Sequence, residues 1–466
     1  MLTIPRLVIA APSSGSGKSI VASGLMAVFS RQMAVQGFKV GPDYIDPMYH
    51  STATGRPARN LDTWMLSHDT VLGGFVRASR GADLSIIEGV MGLFDGYDAS
   101  PFNGSTAEVA RLLQAPVILV IDCARMSGSA AAVAHGFHTF ASELPLAGII
   151  CNRVGSERHA SWLQEAIQVT GLPVLGLIPS LPALQVPERH LGLFTVAERP
   201  DAVRQFLACL ANVMEQCLDL AAIHALAGQA ATLACEPETP VPFVESIHQV
   251  GLAVAQDEAF CFYYEDNLDE LRRCGAQILP FSPLKDGHLP SGVSGIYLGG
   301  GYPELYAAQL SANHSLCTEI LACHRRDMPI YAECGGLMYL TEGIRLPEEN
   351  YPMVGAIPGW CAMDNRLSMG YREVETLCSG LFGETGMNLR GHEFHYSYWE
   401  VPEIQQAMYR VRPRSEGEES RLDGYIRGNL QASYVHLHFG QNPRLAENFI
   451  HTCRDWQKNH SSIHKE

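Results

Sequence analysis

The stretch LVIAAPSSGSGKS, residues 7–19, decides the fold of the first part of this chain. Five apolar residues predict a buried strand, a loop of Pro, Ser and Gly follows, and a helical run begins near Ser19. Glycines in such a loop let backbone N–H groups face phosphate oxygens, while a lysine adds charge and a serine hydroxyl can bind Mg²⁺. Pro12 replaces the first glycine of the usual pattern, and a flexible turn is the plain alternative. The residues predicted to hold the phosphates are Ser14, Gly15, Ser16, Gly17, Lys18 and Ser19.

Short apolar runs alternate with helical segments along the whole chain. Continuous apolar strands separated by helices are typical of parallel sheets covered on both faces. Between two such series, residues 234–242 carry three prolines and no periodicity. The sequence therefore predicts two α/β domains, at 1–230 and 248–455, joined by a linker at 231–247. The predicted strands lie at 7–11, 84–87, 116–121, 147–150 and 174–178, and then at 249–254, 276–279, 295–298 and 329–332.

Composition excludes several classes of protein. The 466 residues include 33 Lys and Arg against 49 Asp and Glu, a formal net charge of −16. Broad binding to nucleic acid or to an anionic membrane needs a basic face, so neither partner is expected. No apolar run approaches the length of a membrane span. The 13 cysteines include no CxxC pair, which favours a reducing cytoplasm.

Acidic residues follow two further predicted strands. Glu88 directly follows an apolar run, where its carboxylate could reach Mg²⁺ held by nucleotide phosphates, and Asp95 lies in the glycine-rich loop after it. The loop FKVGPDYIDP, residues 38–47, offers Lys39, Asp43 and Asp46 to a metal, a phosphate or a substrate. Solvated loop acids and ordinary Gly-Pro-Asp turn chemistry are the alternatives.

The stretch PIYAECGGLMY, residues 329–339, has the pattern of a nucleophile elbow. A strand meets Cys334, and the glycines beginning with Gly335 allow a sharp turn whose N–H groups can face an oxyanion. A thiol near a helix N-terminus is expected to have a lowered pKa. A buried structural cysteine is the alternative. Gly300 and Gly301, which end another predicted strand, could present further N–H groups, although they would also fit a plain turn.

A nucleophilic cysteine needs a base. The segment 431–439 reads as a strand that places His436 and His438 on one face, and either could approach Cys334. The acid expected two residues after the histidine is absent, because His438 occupies that position. His392 and His395 do not have the spacing of a helical zinc motif, so a substrate contact or a structural role is expected.

Together these stretches resemble the cobyrinic acid a,c-diamide synthases, glutamine-dependent amidoligases of corrin biosynthesis. The resemblance runs in order along nearly the whole chain. Its stretches are AAPSSGSGKS, FKVGPDYIDPMYH, IIEGVMGLFDG, GIICNRVGS, PERHLGL, DEAFCFYYEDNL, FSPL, YLGGGYPE, AECGGLMYL, GHEFHYS and SYVHLHF.

The resemblance implies a P-loop domain similar to dethiobiotin synthetase, followed by a class I glutamine amidotransferase domain of flavodoxin-like fold. It implies that ATP and Mg²⁺ serve the amidation of two carboxylates, with Cys334 forming a glutamyl thioester. His436 would be the base, with His438 second. Asn152 would contact the adenine of the nucleotide, and Lys39 would also bind the nucleotide. The further implied roles are metal binding by Ser19, Asp46 and Glu88, and substrate binding by Asp43, Tyr44, Asp46 and Asp95.

Several alternatives stay open at this point. The tetrapyrrole could be hydrogenobyrinate or nickel sirohydrochlorin, which the motifs do not separate from cobyrinate. Cobyric acid synthases share the two-domain plan, but GPDYIDP and GHEFHYS fit them less well. A P-loop ATPase switch with an inactive second domain, or a glutamine hydrolase with an ATP sensor, are rivals of other classes. Small molecules are the expected partners, and a homodimer is a further expectation.

Overall fold

The computed structural model describes residues 3–181, 188–189, 192–233, 249–401, 406–413 and 419–460. The chain divides into two compact units, Met1–Thr239 and Pro240–Glu466. From residue 234 onward, the predicted linker lies outside the described residues. The predicted domain limits therefore stay a prediction.

The first unit alternates strands with helices. Its strands are β1 (Arg6–Ala10), β2 (Val35–Val40), β3 (Arg59–Leu61), β4 (Leu84–Glu88), β5 (Val117–Asp122), β6 (Leu146–Val154), β7 (Val174–Pro179), β8 (Glu188–Arg189) and β9 (Gly192–Leu193). Its helices are α1 (Lys18–Phe29), α2 (Ile45–Thr54), α3 (His68–Ala78), α4 (Thr106–Leu112), α5 (Ser129–Phe140), α6 (Glu157–Gln168), α7 (Pro200–Cys217) and α8 (Leu220–Gly228).

Seven of these strands form one sheet in the order β3-β2-β4-β1-β5-β6-β7. Every neighbouring pair in it is parallel. The central strand β1 is buried along its whole length, as its apolar run predicts, and Leu7 and Ile9 share a core cluster with residues of α1 and α7. Since the strands run the same way, the loops after β1, β2 and β4 leave the sheet at one edge, and the predicted phosphate and acid residues lie there.

The second unit begins with another alternation and continues into a region rich in strands. Its strands are β10 (Val250–Ala255), β11 (Phe260–Phe262), β12 (Ala276–Phe281), β13 (Val293–Leu298), β14 (Gly300–Gly301), β15 (Ile330–Glu333), β16 (Thr341–Arg345), β17 (Asn350–Pro352), β18 (Ile357–Thr376), β19 (Asn388–Glu400), β20 (Tyr409–Val411), β21 (Arg421–Asp423), β22 (Tyr425–Arg427), β23 (Leu430–Ser433) and β24 (His436–Leu437). Its helices are α9 (Glu265–Arg273), α10 (Ala307–Ala312), α11 (His314–Arg325), α12 (Gly335–Leu340) and α13 (Arg444–His460).

The main sheet of this unit has the order β12-β10-β13-β15-β23-β22. It is parallel except for β22, which runs antiparallel to β23. A second sheet of order β17-β16-β18-β19-β24, joined by β20 and β21, is built on the long antiparallel pair β18 and β19. This second sheet was not predicted from the sequence, because most of β18 is exposed or half-buried and lacks a continuous apolar run.

The predicted strand over 431–439 is interrupted. β23 ends at Ser433, β24 comprises only two residues, and His438 begins the 3-10 turn Phe439–Gln441. His438 keeps an extended backbone, with φ −98° and ψ 115°, where it begins this turn. The expectation that His436 and His438 lie on one face therefore stays a prediction.

Among the described residues, no helix combines the length and the apolar character needed to cross a bilayer.

Gly251 provides a test of how closely β10 packs in the main sheet. A Cβ at this position would lie 2.3 Å from the carbonyl oxygen of Gly292, a backbone atom that cannot move away cheaply. We expect Gly251→Ala to lower the free energy of unfolding by about 1–3 kcal/mol, measured by urea denaturation of the full chain. The matched control is Gly287→Ala, where nothing lies within 4 Å of the new Cβ. Equal urea midpoints for the two variants would contradict the packing.

Candidate functional site

The loop between β1 and α1 has the backbone of a phosphate cradle. Gly15 and Gly17 have φ angles of 79° and 95°, in the left-handed region that favours glycine. Gly17 directly precedes α1 as its N-cap residue, so the first N–H groups of the helix open onto this loop. Ser16 donates its hydroxyl hydrogen bond to the Ser13 carbonyl, 3.0 Å away, which closes the turn. The arrangement can bind an anion by backbone N–H groups alone.

Asn152, on β6, supports this loop. Its side chain is buried, and Nδ2 donates to the Ser16 carbonyl at 3.0 Å. A Cβ on Gly17 would lie 2.1 Å from the same Nδ2, so glycine is required at this position by close approach as well as by φ. The structure thus places Asn152 against the phosphate loop. Its predicted contact with adenine stays a prediction.

A cluster of charged side chains is centred on Glu88, the last residue of β4. Its carboxylate has no exposed surface. Oε1 accepts hydrogen bonds from Ser19 Oγ at 2.5 Å and from Lys39 Nζ at 2.7 Å, and Oε2 lies 2.7 Å from His50 Nε2. Lys39 Nζ also lies 2.5 Å from Asp46 Oδ2. Four of the predicted residues therefore meet at one point, together with a histidine that the sequence analysis did not assign.

The electrostatics of the cluster show an excess of acid. Burial raises the pKa of Asp46 well above its usual value, and the charges of Asp43 and Glu88 add to this rise against the effect of Lys39. Burial also raises the pKa of Glu88, but the charge of Lys39 and the hydrogen bond with His50 outweigh it, so the pKa lies well below its usual value. Asp43, Asp46 and Glu88 thus offer three carboxylates to two lysines, Lys18 and Lys39, and a bound cation would reduce the remaining negative charge.

The remaining predicted substrate residues have separate local roles. Asp43 Oδ1 accepts from the backbone N–H groups of Ile45 and Asp46 at 2.8 and 3.1 Å, which caps the start of α2, and its Oδ2 lies 3.8 Å from Lys39 Nζ. Tyr44 is buried at the start of α2. Asp95 is exposed and accepts from the Gly92 N–H at 3.0 Å within its own loop. The contacts described for Asp95 thus do not join it to the cluster.

The second unit contains the elbow predicted at Cys334. This residue lies between β15 and α12 with φ 49° and ψ −103°, a backbone conformation that residues other than glycine rarely adopt. Its N–H donates to the Ser433 carbonyl at 2.8 Å, which fixes the turn to β23. Such a strained turn presents a side chain at the end of a sheet.

Glycines bring the elbow, a second loop and a histidine together. A Cβ on Gly335 would lie 3.1 Å from the backbone nitrogen of Gly301, so the two segments touch. A Cβ on Gly300 would lie 2.5 Å from His436 Cε1, so the imidazole rests on this glycine. The N–H groups predicted to face an oxyanion and the predicted base are therefore neighbours.

The two candidate bases differ in what surrounds them. The Nε2 edge of His436 faces Gly300, while its Nδ1 lies 3.6 Å from Glu333 Oε2. His438 Nδ1 accepts from the Gly440 N–H at 3.1 Å, and its Nε2 lies 3.9 Å from Asp266 Oδ2. Only the first of these histidines has a described contact with the glycine loop.

Burial raises the pKa of the Cys334 thiol, and the nearby charge of Glu304 adds to the rise. The expectation of a lowered pKa is wrong, because α12 is only six residues long and the cost of burying a thiolate exceeds the effect of a short helix terminus. A thiol that stays protonated needs a base to accept its proton during attack.

His392 and His395 contact different residues. His392 stacks on His436 with ring centroids 5.0 Å apart, and its Nδ1 shares a hydrogen bond of 3.1 Å with Tyr264 Oη. His395 stacks on Tyr434 with centroids 4.0 Å apart. Within the described part of the chain, no group of three or more His, Cys, Asp or Glu side chains could hold a metal ion.

Two family descriptions match the chain. A CobQ/CobB/MinD/ParA nucleotide-binding domain matches residues 7–194, and a CobB/CobQ-like glutamine amidotransferase domain matches residues 251–444.

Curated relatives align over nearly the whole length. The cobyrinate a,c-diamide synthase of Synechococcus sp. is 41% identical over 96% of this chain and 98% of its own. Those of Priestia megaterium and Syntrophotalea carbinolica are 41% and 45% identical, over 97% of this chain and 98% and 99% of their own lengths. The chain belongs to the cobyrinate a,c-diamide synthase family. It is therefore a ligase that uses ATP and takes its amide nitrogen from glutamine.

Family membership confirms the predicted fold class, an N-terminal nucleotide-binding α/β domain with a parallel sheet and a C-terminal glutamine amidotransferase domain. A solved structure described as a glutamine amidotransferase aligns with 44% of this chain and 98% of its own, at 14% identity and a TM-score of 0.32, too low to argue from.

Two residues that contact the predicted site residues were not predicted from the sequence. His50 lies within the stretch that carries the resemblance, but nothing in its local pattern indicates that it reaches Glu88. Glu333 precedes Cys334 directly, and only the fold shows that its carboxylate faces His436.

Replacing Asn152 tests whether its side chain supports the phosphate loop or contacts the adenine of ATP. We expect Asn152→Ala to weaken the binding of ATP and of inorganic tripolyphosphate alike, by about 3- to 10-fold, since one hydrogen bond to the loop is lost. Isothermal titration calorimetry measures both. The matched control is Asn212→Ala on α7. It removes a hydrogen-bond partner of Arg31 and should leave the binding of both ligands unchanged. Weaker ATP binding with unchanged tripolyphosphate binding would assign Asn152 to the adenine instead.

Proposed function

We propose that this protein converts two side-chain carboxylates of cobyrinate, a and c, into amides, with two ATP and two glutamine consumed. The printed names of the relatives support the substrate. The observation that carries the proposal is the pair of sites described above, a phosphate loop with a buried cluster of acids and a cysteine elbow with its histidine. Each serves one half of such a reaction.

The first half activates the carboxylate. A carboxylate is a poor electrophile, because attack on it must expel an oxide-like group. Transfer of the γ-phosphoryl group of ATP gives an acyl phosphate with a good leaving group. Lys18 and Lys39, both largely buried at the edge of the sheet, would neutralise the charge that develops during transfer.

The residues present fit a magnesium ion. Ser19 Oγ lies 2.5 Å from Glu88 Oε1 and 3.5 Å from Asp46 Oδ2, so three hard oxygen donors converge. Two carboxylates and a hydroxyl leave coordination positions for phosphate oxygens and water, which Mg²⁺ prefers to keep. When bound, Mg²⁺ would neutralise phosphate charge. Ser19, Asp46 and Glu88 are proposed to hold it, and Asp43, Tyr44 and Asp95 are proposed to contact the tetrapyrrole.

The second half supplies ammonia. Cys334 attacks the side-chain carbonyl of glutamine, His436 accepts the thiol proton, and the N–H groups at Gly301 and Gly335 face the oxyanion. Collapse of the tetrahedral intermediate releases ammonia and leaves a glutamyl thioester, which water hydrolyses. The released ammonia attacks the acyl phosphate and expels phosphate. The contact of His436 with Gly300 supports this histidine as the base over His438.

Hydrogenobyrinate and nickel sirohydrochlorin would undergo the same chemistry, and no described contact favours them. The predicted homodimer, cytoplasmic location and lack of nucleic-acid binding stay predictions.

Substitution of the nucleophile separates the two halves. We expect Cys334→Ser to lower glutamine-dependent amidation at least about a thousand-fold while leaving amidation with added ammonium chloride unchanged, because the synthetase site does not use the thiol. The readout is amide formation with either nitrogen source. Cys453→Ser, a buried cysteine on α13, is the control with both activities kept. Loss of both activities in a folded, ATP-binding Cys334→Ser variant would contradict the proposed division.

A further inference from the structure

The acid expected two residues after the catalytic histidine of a class I glutaminase is replaced here by His438. A different acid lies beside His436. Glu333 is the last residue of β15, between β13 and β23 in the sheet, and its side chain is about 1% exposed. It adjoins Cys334 in the chain, so the nucleophile and this acid leave the sheet at the same point.

Three donors fix the Glu333 carboxylate. Oε1 accepts from Tyr331 Oη at 2.6 Å and from the Leu437 N–H at 3.0 Å, and Oε2 accepts from Tyr297 Oη at 3.0 Å. Burial, and then the charge of Glu333, raises the pKa of both tyrosines well above its usual value, so both phenols remain protonated donors. A carboxylate held in this way has little freedom to turn.

The fixed carboxylate faces one edge of the base. Oε2 lies 3.6 Å from Nδ1 of His436, whose opposite Nε2 edge faces the glycine loop at Gly300. The donor Leu437 N–H belongs to the residue that follows His436, so the same carboxylate also anchors the backbone of β24. Glu333 therefore contacts this histidine from two directions, through its ring and through its neighbouring peptide.

We propose that Glu333 is the positioning residue of the glutaminase, orienting His436 and stabilising the imidazolium that forms when it accepts the Cys334 proton. The inference rests on the proposed function, in which these two residues act on glutamine. At 3.6 Å the carboxylate acts on the ring through its charge and not through a hydrogen bond. This charge favours the tautomer with hydrogen on Nδ1, in which the lone pair of Nε2 can accept a proton.

The proton moves in a closed cycle. The thiol proton passes to Nε2 as sulfur bonds to the glutamine carbonyl carbon, and it then passes to the leaving nitrogen as the C–N bond breaks and ammonia departs. In hydrolysis, Nε2 accepts a proton from the attacking water and returns it to sulfur as the C–S bond breaks. The hydrogen on Nδ1 stays beside Glu333 throughout, and no oxidant or further reactant is required.

The rival pair is His438 with Asp266. The separation of Nε2 and Oδ2 in this pair is 3.9 Å, and the other ring nitrogen accepts from the Gly440 N–H. The Asp266 side chain is 21% exposed, whereas Glu333 is almost completely buried. A charge near the surface is screened by water and stabilises a neighbouring cation less.

The test measures glutamine hydrolysis and ammonia-dependent amidation by the full chain. We expect Glu333→Gln to lower the kcat for glutamine hydrolysis about 100-fold, to change the KM for glutamine less than about 3-fold, and to leave ammonia-dependent amidation unchanged. Glu333→Asp is expected to retain more kcat than the amide, because it keeps the charge. Asp266→Asn is the matched control and should keep kcat within about 3-fold.

A second pair of variants guards against misfolding of Glu333→Gln. Tyr331→Phe and Tyr297→Phe each remove one donor while keeping the carboxylate, and each should lower kcat several-fold with KM and the ammonia-dependent reaction unchanged. If Glu333→Gln loses the ammonia-dependent reaction too, its fold is disturbed, and the kcat values of the two tyrosine variants then test the proposal.

Normal kcat in the folded Glu333→Gln variant overturns the proposal, as does normal kcat in both tyrosine variants. A defect in Asp266→Asn with none in Glu333→Gln would assign the role to the rival pair. The proposed function fails separately, if Cys334→Ser still amidates with glutamine.

Discussion

A buried carboxylate costs several kcal/mol unless charged or hydrogen-bonding partners surround it, and this constraint shapes both sites of the chain. Glu88 ends β4 with no exposed surface, and a hydroxyl, an ammonium group and an imidazole meet it. Glu333 ends β15 almost completely buried, and two phenols and a backbone N–H donate to it. In each unit, the groups that donate hydrogen bonds to this buried carboxylate belong to the predicted site residues or lie close to them in the chain.

The position of these acids follows from sheet topology. In a parallel sheet, the carboxyl ends of the strands and the N-termini of the following helices lie at the same edge. The phosphate loop after β1 and Glu88 at the end of β4 meet there because the two strands are neighbours. The elbow at Cys334 and the glycines after β13 meet for the same reason, since β13 pairs with β15. Glycine is needed where these loops approach each other, as the contact of Gly335 with Gly301 shows.

Local patterns in the sequence predicted the parts of the sites whose chemistry is local. The spacing of the phosphate loop, the acid after an apolar strand at Glu88 and the elbow at Cys334 each depend on a few consecutive residues. The partners of these groups depend on distant segments. Glu333 meets donors from residues 297 and 437, which no spacing could indicate.

The errors have the same origin. The pKa of Cys334 was predicted from its position before a helix, whereas its burial depends on the whole unit. The second sheet was not predicted, because a half-exposed hairpin leaves no apolar run to detect.

In the proposed function, ATP use and glutamine hydrolysis are tied to amidation of one tetrapyrrole. The most direct test offers purified protein ATP, Mg²⁺ and glutamine labelled with nitrogen-15 in its side-chain amide, together with cobyrinate, hydrogenobyrinate or nickel sirohydrochlorin. Mass spectrometry of the products should find cobyrinate carrying two labelled amides, with one ADP formed for each. Labelled amides on another tetrapyrrole but not on cobyrinate would contradict the substrate. Glutamate and ADP without any amidated product would contradict the account as a whole.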